Sequence, residues 1–125
     1  MSEKLFISGP LPPSLNNAYY TGRDGRRHLT KEAKTYKENI AETLMVNNAR
    51  SMCPEPPFSV HLHLRFKDKR RTDVSNRVKI LEDAVFGYLG HDDSLVYDLH
   101  IWRYIDRSKP GMSMEIRHCS RDLEV

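Results

Sequence analysis

The chain has few of the features that mark exported or membrane proteins. It contains two cysteines in 125 residues, Cys53 and Cys119, without metal-ligand spacing, so we expect unpaired thiols rather than a disulfide. No apolar run approaches the roughly 18 residues of a membrane-spanning helix. The first four residues lack the basic start and apolar middle of a secretory signal. We therefore expect a cytoplasmic protein.

The composition is that of a globular protein with a locally basic segment. Hydrophobic residues make up 38% and charged residues 30% of the chain. This length predicts one domain, residues 1–125, that buries roughly two thirds of its unfolded surface. A net charge of +3 does not by itself indicate nucleic-acid binding. Residues 65–79, however, contain seven basic and two acidic residues, and this concentration lies beside carboxylates.

The first half of the chain predicts a strand, a basic loop and a helix. Residues 5–8 form a short apolar run that is ended by Gly9 and Pro10. Residues 19–29 centre on Asp24-Gly25, a turn signal that predicts a hairpin or loop. A helix should then begin after Thr30, a good N-cap. Its apolar residues recur at helical spacing: Ala33, Tyr36, Ile40 and Leu44.

The second half predicts a strand, a helix and two further strands. Residues 57–66 alternate between apolar and polar, which is typical of a half-buried strand. A second helix should begin near Asp73 and end near Gly87 or Gly90. Residues 95–105 and 112–119 have strand patterns, and Pro110-Gly111 between them predicts a hairpin. The order β-α-β-α-β-β predicts an α/β (α+β) fold with a mixed sheet and two main helices.

The polar face of the second helix carries residues suited to a site. Asn76, Lys79 and Asp83 fall within roughly 60° of one another, away from the apolar stripe. Every amphipathic helix has a polar face, so this pattern is equally compatible with an ordinary solvated surface.

Separated carboxylates and basic residues together suit metal-assisted cleavage of a phosphodiester. Asp73, Asp92 and Asp93 offer the oxygen ligands that Mg²⁺ prefers, and arginine and lysine neutralise phosphates. A helix of about fifteen residues is roughly 22 Å long, so the return strand would have to bring Asp93 back toward the helix start. The sequence does not decide whether it does.

Several segments resemble the RusA family of Holliday junction resolvases. They are Pro12-Pro13-Ser14 with Asn16-Asn17 and Tyr19-Tyr20, Leu29-Thr30-Lys31-Glu32-Ala33 with Tyr36, Arg70-Arg71-Thr72-Asp73 to Lys79, and Asp92-Asp93-Ser94-Leu95-Val96. The resemblance runs along much of the chain. It implies a RusA-like mixed-sheet fold and a homodimer that uses Mg²⁺ to nick four-way DNA junctions in recombination and repair.

The resemblance also implies roles for individual residues. Asp73 and Asp93 match acidic metal-binding catalytic positions, and Lys79 matches a catalytic lysine. Asp92 and Asn76 match accompanying polar positions, with Asp92 a further expected metal ligand. The expected contacts to DNA come from six residues: Lys69, Arg70, Arg71, Asn76, Asn16 and Asn17.

One position departs from the family pattern. Some members carry a second aspartate two residues after the first, where this chain has Ser75. Either Asp92 or Asp83 then supplies the negative charge that Ser75 lacks, or the metal ion is held loosely. One alternative follows from this departure: a junction-binding protein with weak or no cleavage. A second alternative is a metal nuclease for other branched nucleic acid, because phosphate contacts and hydrolysis do not by themselves specify a four-way substrate.

Two further groups of side chains are not assigned to the site. His61 and His63 share a strand face, but without additional ligands they are expected to be surface or packed histidines. Tyr97, Trp102 and Tyr104 are expected to serve the core, as aromatic residues on an apolar strand commonly do, with stacking on unpaired bases as the alternative.

Overall fold

The computed structural model describes residues 4–14, 19–69 and 74–120. The strands are β1 (Lys4–Gly9), β2 (Tyr19–Thr21), β3 (Arg27–Leu29), β4 (Phe58–Phe66), β5 (Val96–Ile105) and β6 (Gly111–His118). The helices are α1 (Lys31–Val46), α2 (Ala49–Met52) and α3 (Val74–Leu89), and a 3₁₀ turn covers Asp93–Leu95. This is the predicted mixed α+β fold, with a hairpin of β2 and β3 at Asp24-Gly25 and one additional short helix, α2.

The main sheet has four strands in the order β1-β6-β4-β5. Strands β4 and β5 are parallel and are connected through α3, whereas β6 runs antiparallel to both of its neighbours, β1 and β4. The predicted hairpin of the last two strands is therefore wrong, because β4 lies between them. Buried Met112, Met114 and Ile116 give β6 an apolar face that suits an inner position, while β5 is exposed along most of its length.

The helices cover one face of this sheet. The alternation in β4 buries Val60, Leu62, Leu64 and Phe66 on that face, in one cluster with the apolar faces of α1 and α3. Helix α1 begins as predicted, with the Thr30 hydroxyl accepting a hydrogen bond from the backbone N–H of Ala33 at 3.2 Å. The four predicted positions of α1 are its buried residues. Sheet and helices are thus held together by one core.

The other face of the sheet carries histidines and aromatic residues. The rings of His63 and Trp102 stack 4.7 Å apart, and those of His61 and His100 stack 4.8 Å apart. Tyr97, Trp102 and Tyr104 are all exposed, so the expectation that they serve the core is wrong. Trp102 and Tyr104 lie beside His63 on the face that the helices do not cover, and β5 is the outer strand of the sheet among the described residues.

Helix α3 ends at Leu89 and is followed by Gly90, whose φ of +79° is a left-handed conformation that suits glycine. The N–H groups of Gly90 and His91 both bond to the carbonyl of Phe86. This cap turns the chain back along α3 and so sets the position of the 3₁₀ turn. The described residues contain no helix with the length and hydrophobicity of a bilayer-spanning segment.

Candidate active site

Lys79 on α3 joins two carboxylates that are separated in the sequence. Its ammonium nitrogen lies 2.9 Å from Oδ2 of Asp93 and 3.2 Å from Oδ1 of Asp83, one turn further along the helix. Lys79 donates these hydrogen bonds, and the one that Asp93 accepts, followed by the one that Asp83 accepts, raises the pKa of Lys79 well above its usual range. Asp93 therefore does return to the first half of α3, which the sequence left open.

These groups line a cavity of about 260 Å³. Its ionisable lining consists of Lys79, Glu82, Asp83, His91, Asp92 and Asp93. Four carboxylates thus face one ammonium. Burial, followed by the negative charge of Asp93, raises the pKa of Glu82. A phosphate anion would be repelled from such a cavity unless a further cation accompanied it.

Asp92 has a local structural role as well as a place in this cavity. Its Oδ1 accepts a hydrogen bond from the backbone N–H of Ser94 at 2.8 Å, which caps the 3₁₀ turn. This N–H, with the Ser94 hydroxyl, lowers the pKa of Asp92, and the carboxylate remains ionised. Asp92 therefore helps to orient the turn that presents Asp93.

Two hydrogen bonds attach the proline-rich segment to both helices. The Arg77 guanidinium donates from Nη1 to the carbonyl of Pro12 at 2.6 Å. The Tyr36 hydroxyl on α1 donates to the carbonyl of Pro10 at 3.2 Å. Since Arg77 is two residues before Lys79, the segment that leads to Asn16 and Asn17 is attached beside the site.

The remaining predicted site residues divide into two groups. Asn76 lies half-buried in the first turn of α3, and Lys69 is exposed beside Arg103 and Tyr104 at the end of β5. Five lie outside the described residues: Asn16, Asn17, Arg70, Arg71 and Asp73.

The carboxylates have the right chemistry for a hard divalent cation, since Asp83, Asp92 and Asp93 present only oxygen donors. Across residues 4–14, 19–69 and 74–120, no three His, Cys, Asp or Glu side chains are arranged to hold a metal ion. The histidines of the sheet, His61 and His63, form no such group either. The described donors thus fit Mg²⁺ in kind, and Asp73 lies outside them.

Sequence reasoning missed two members of this site. Glu82 lies three residues after Lys79, and a search for neighbours at helical i, i+3 spacing would have found it. Arg77 was counted only as one of seven basic residues. Its bond to Pro12 joins residues 65 apart in the chain, and no local pattern indicates such a contact.

Comparison with known proteins agrees with this description. The profile of the family described as "Endodeoxyribonuclease RusA" matches residues 10–117. The crossover junction endodeoxyribonuclease RusA of Escherichia coli (strain K12) is 33% identical over 79 residues, which cover 63% of this chain and 64% of that protein. The protein of the same name from Enterobacteria phage 82 is 33% identical over 82 residues, with the same coverage.

A longer match extends the similarity. The crossover junction endodeoxyribonuclease RusA of Escherichia coli O139:H28 (strain E24377A / ETEC) is 31% identical over 96 residues, 76% of this chain and 78% of that protein. The alignments with the K12 and phage proteins span slightly less than two thirds of those relatives. Together with the profile match over residues 10–117, these similarities show that the chain belongs to the RusA endodeoxyribonuclease family.

Proposed function

We propose that this protein is a Mg²⁺-dependent endodeoxyribonuclease that resolves four-way DNA junctions by paired nicks. The observation that carries the proposal is the convergence of Lys79 and Asp93, 2.9 Å apart, in a cavity rich in carboxylates. Membership of an endodeoxyribonuclease family supports DNA cleavage. The relatives' name, crossover junction endodeoxyribonuclease, supports a crossover junction as the substrate and a role in recombination. A role in repair is a further part of the proposal.

Asp73 and Asp93 are the proposed principal metal ligands, with Asp92 as a third. Asp83 is the proposed substitute for the carboxylate that Ser75 does not supply, because it shares the Lys79 ammonium with Asp93. When bound, a divalent cation supplies charge that neutralises phosphate oxygens and lowers the pKa of water. The excess of carboxylates over ammonium groups in the cavity supports the need for that charge.

Lys79 is the proposed transition-state cation. Its Nζ is held by two carboxylates and is half-exposed, so it is both positioned and able to reach a DNA strand. As the phosphodiester bond breaks, negative charge increases on the phosphate oxygens and the departing oxygen. An ammonium fixed beforehand stabilises that charge without reorganising during the reaction. The raised pKa of Lys79 keeps it protonated.

The DNA backbone is proposed to contact the residues that flank the start of α3. These are Lys69, Arg70, Arg71 and Asn76, together with Asn16 and Asn17. The tie between Arg77 and Pro12 supports including the asparagines, since it attaches their segment beside the first turn of α3. Contacts of this kind position a duplex without reading its bases.

A homodimer is part of the proposal because a four-way junction has approximate twofold symmetry. Two opposed strands are cut most simply by two sites related by the same symmetry.

The decisive experiment measures cleavage of synthetic four-way junctions, flaps, linear duplex and branched RNA with and without Mg²⁺. Asp93→Asn and Asp73→Asn test the proposed ligands, and Glu38→Gln on the exposed face of α1 is the matched control. Mg²⁺ binding by titration calorimetry provides a readout that does not depend on cleavage. Junction cleavage that both aspartate variants retain would remove these residues from the mechanism.

The same assay tests two other functions. Ser75 is exposed in the first turn of α3, so an aspartate there meets no packing obstacle. A wild-type protein that binds junctions without cutting them, and cuts after Ser75→Asp, is a junction-binding protein. Preferential cleavage of flaps or RNA identifies a nuclease for other branched nucleic acid.

A further inference from the structure

The face of the sheet that the helices leave uncovered carries a cavity of about 530 Å³. Side chains from all four strands line it: Phe6 on β1, Ser113 on β6, His63 and Arg65 on β4, and Tyr104 on β5. We call this cavity the sheet slot. It is separated from the candidate active site, because α3 packs on the opposite face of the sheet.

Stacked rings form one wall of the sheet slot. The His63 ring stacks on Trp102, its cross-strand partner on β5, with centroids 4.7 Å apart and 9° between the planes. On the other side of β4, the residue paired with His63 is Ser113 of β6. The series of rings stops there, because serine has a small side chain. Trp102 thus covers one face of the His63 ring, and the other face is turned toward the slot.

Phe6 provides the opposite wall. Strands β1 and β4 lie on either side of β6, so roughly 9.5 Å separates their axes. A planar group needs about 3.5 Å to each neighbouring ring, or about 7 Å between the two rings. Phe6 is 58% exposed, so the core does not fix its ring in one position. The slot therefore has the width for one planar ring above Ser113.

Arg65 places a positioned cation at the slot. Its Nη1 donates to Oγ of Ser113 at 2.7 Å, and its Nε donates to the carbonyl of Lys109 at 3.2 Å. A Cβ on Gly111 would lie 3.1 Å from Nη2, so glycine at this position lets the guanidinium lie close to β6. A guanidinium held in this way suits a phosphate oxygen.

The adjoining loop between β5 and β6 adds positive charge. Arg107 and Lys109 are exposed in this loop, and Asp106 is the one carboxylate among the described residues that line the slot. Oδ1 of Asp106 accepts three hydrogen bonds from residues 108–109, so this carboxylate orders the loop. With Arg65, three cations lie near one anion. An excess of positive charge of this kind favours a polyanion.

A second carboxylate near the slot is neutralised by its neighbours. Glu115 is the cross-strand partner of Phe6. Its Oε1 lies 3.5 Å from Nζ of Lys4 and 2.8 Å from Nη2 of Arg117. Glu115 therefore does little to oppose an anionic ligand.

We propose that the sheet slot binds an unpaired base of single-stranded DNA, stacked between Phe6 and His63, with a neighbouring phosphate on Arg65. A base within a duplex is covered on both sides by its neighbours and so cannot enter a slot of one ring. Cations beside the ring walls favour a nucleotide over an apolar protein side chain, which needs no cation. This inference goes beyond the proposed function and does not depend on it.

Fluorescence titration with a short oligothymidylate, without Mg²⁺, tests the proposal. Trp102 is the only tryptophan of the chain and stacks on His63, so its emission should change on binding. An abasic oligomer of the same length presents the same phosphates and should bind at least about 10-fold more weakly. Equal affinities of the two oligomers would overturn the proposal, because phosphate contacts alone would then explain the binding.

Two variants test whether the strand binds at the slot. Phe6→Ala removes one wall with little loss of buried surface, and Ser113→Phe fills the slot with a ring of the chain itself. Each should weaken oligothymidylate binding about 10-fold, whereas Met45→Ala on α1, a comparably exposed residue, should leave it unchanged. Circular dichroism and urea unfolding establish that the variants are folded. A folded Phe6→Ala variant with wild-type affinity would overturn the proposal.

Two further outcomes would also contradict the slot. Loss of oligothymidylate binding in Lys79→Met would place the strand at the candidate active site. Tighter binding of N-acetyltyrosinamide than of thymidine monophosphate would assign the slot to a protein side chain. These titrations do not require cleavage, so a protein that cuts no junction contradicts the proposed function without affecting this result.

Discussion

The Nζ atom of Lys79 lies 2.9 Å from Oδ2 of Asp93, fourteen residues further along the chain. The two residues belong to different elements, α3 and the 3₁₀ turn before β5. Their contact defines the proposed site and leads to the first prediction.

Lys79→Met should lower junction cleavage by about 10²–10³-fold, because it removes a positioned cation from the transition state. It should leave Mg²⁺ binding intact or tighter, since the ammonium that lies between Asp83 and Asp93 repels a second cation. Single-turnover cleavage and calorimetry measure the two effects. Lys34→Met on α1 is the control. Loss of Mg²⁺ binding in Lys79→Met would contradict the proposed separation of roles.

Gly90→Ala should destabilise the protein by about 1 kcal/mol, because residue 90 has a φ of +79° that alanine adopts at a cost. Among the described residues, and apart from the chain neighbours of Gly90, no atom lies within 4 Å of the added Cβ, so we expect backbone strain to dominate the effect. Gly87→Ala, inside α3 with equally open space, should instead stabilise by up to about 1 kcal/mol. Urea unfolding compares the two. Equal effects of both substitutions would show that the helix cap at Gly90 is unimportant.

Arg77→Met should reduce the rate of junction cleavage by more than its effect on the free energy of unfolding accounts for. The change removes the hydrogen bond to the Pro12 carbonyl and so releases the segment that leads to Asn16 and Asn17. We expect a loss of about 1.5 kcal/mol in the free energy of unfolding, typical of a hydrogen bond from a charged donor. Arg50→Met is the control, because Arg50 binds the Tyr88 carbonyl at the far end of α3. Matched losses of activity in both variants would indicate a general structural effect.

Tyr36→Phe should lower the free energy of unfolding by about 1 kcal/mol, because the buried hydroxyl loses its bond to the Pro10 carbonyl. Burial also raises the pKa of Tyr36, so the hydroxyl remains a donor throughout the physiological range. Thermal or urea unfolding measures the change. Tyr20→Phe, on the exposed hairpin, should have no measurable effect.

The free energy of unfolding should decrease as the pH falls through the range in which His61 takes up a proton. Burial, then the positive charges of His100 and Arg117, lowers the pKa of His61 below its ordinary value of 6.5, and Glu115 and Asp98 oppose this only in part. Between the lowered and ordinary values the unfolded chain binds more protons, so the free energy of unfolding decreases as pH falls below about 6.5. Urea unfolding at neutral and mildly acidic pH should show a smaller decrease for His61→Gln than for the wild type. An identical pH dependence in the two proteins would contradict this origin.

Local patterns predicted the elements well because each depends on near neighbours. The spacing of Ala33, Tyr36, Ile40 and Leu44 identified the buried face of α1, and Thr30 identified its start. The failures concern neighbours in space. Local turn signals at Pro110-Gly111 predicted a hairpin, but β6 pairs with β4 and β1, where its buried methionines are enclosed. Because β6 occupies this inner position, β5 is an outer strand and its aromatic residues are exposed.

For the site, the residue types and the polar side of α3 were readable in advance, because charge and helical period are properties of the chain. The contact of Lys79 with Asp93, the inclusion of Glu82, and the attachment of the proline-rich segment by Arg77 were decided only by the tertiary structure. Such contacts depend on how the chain returns after Gly90 and on which strand occupies the centre of the sheet. Both are determined by the burial of apolar surface between distant segments of the chain. A short segment of sequence does not carry that information.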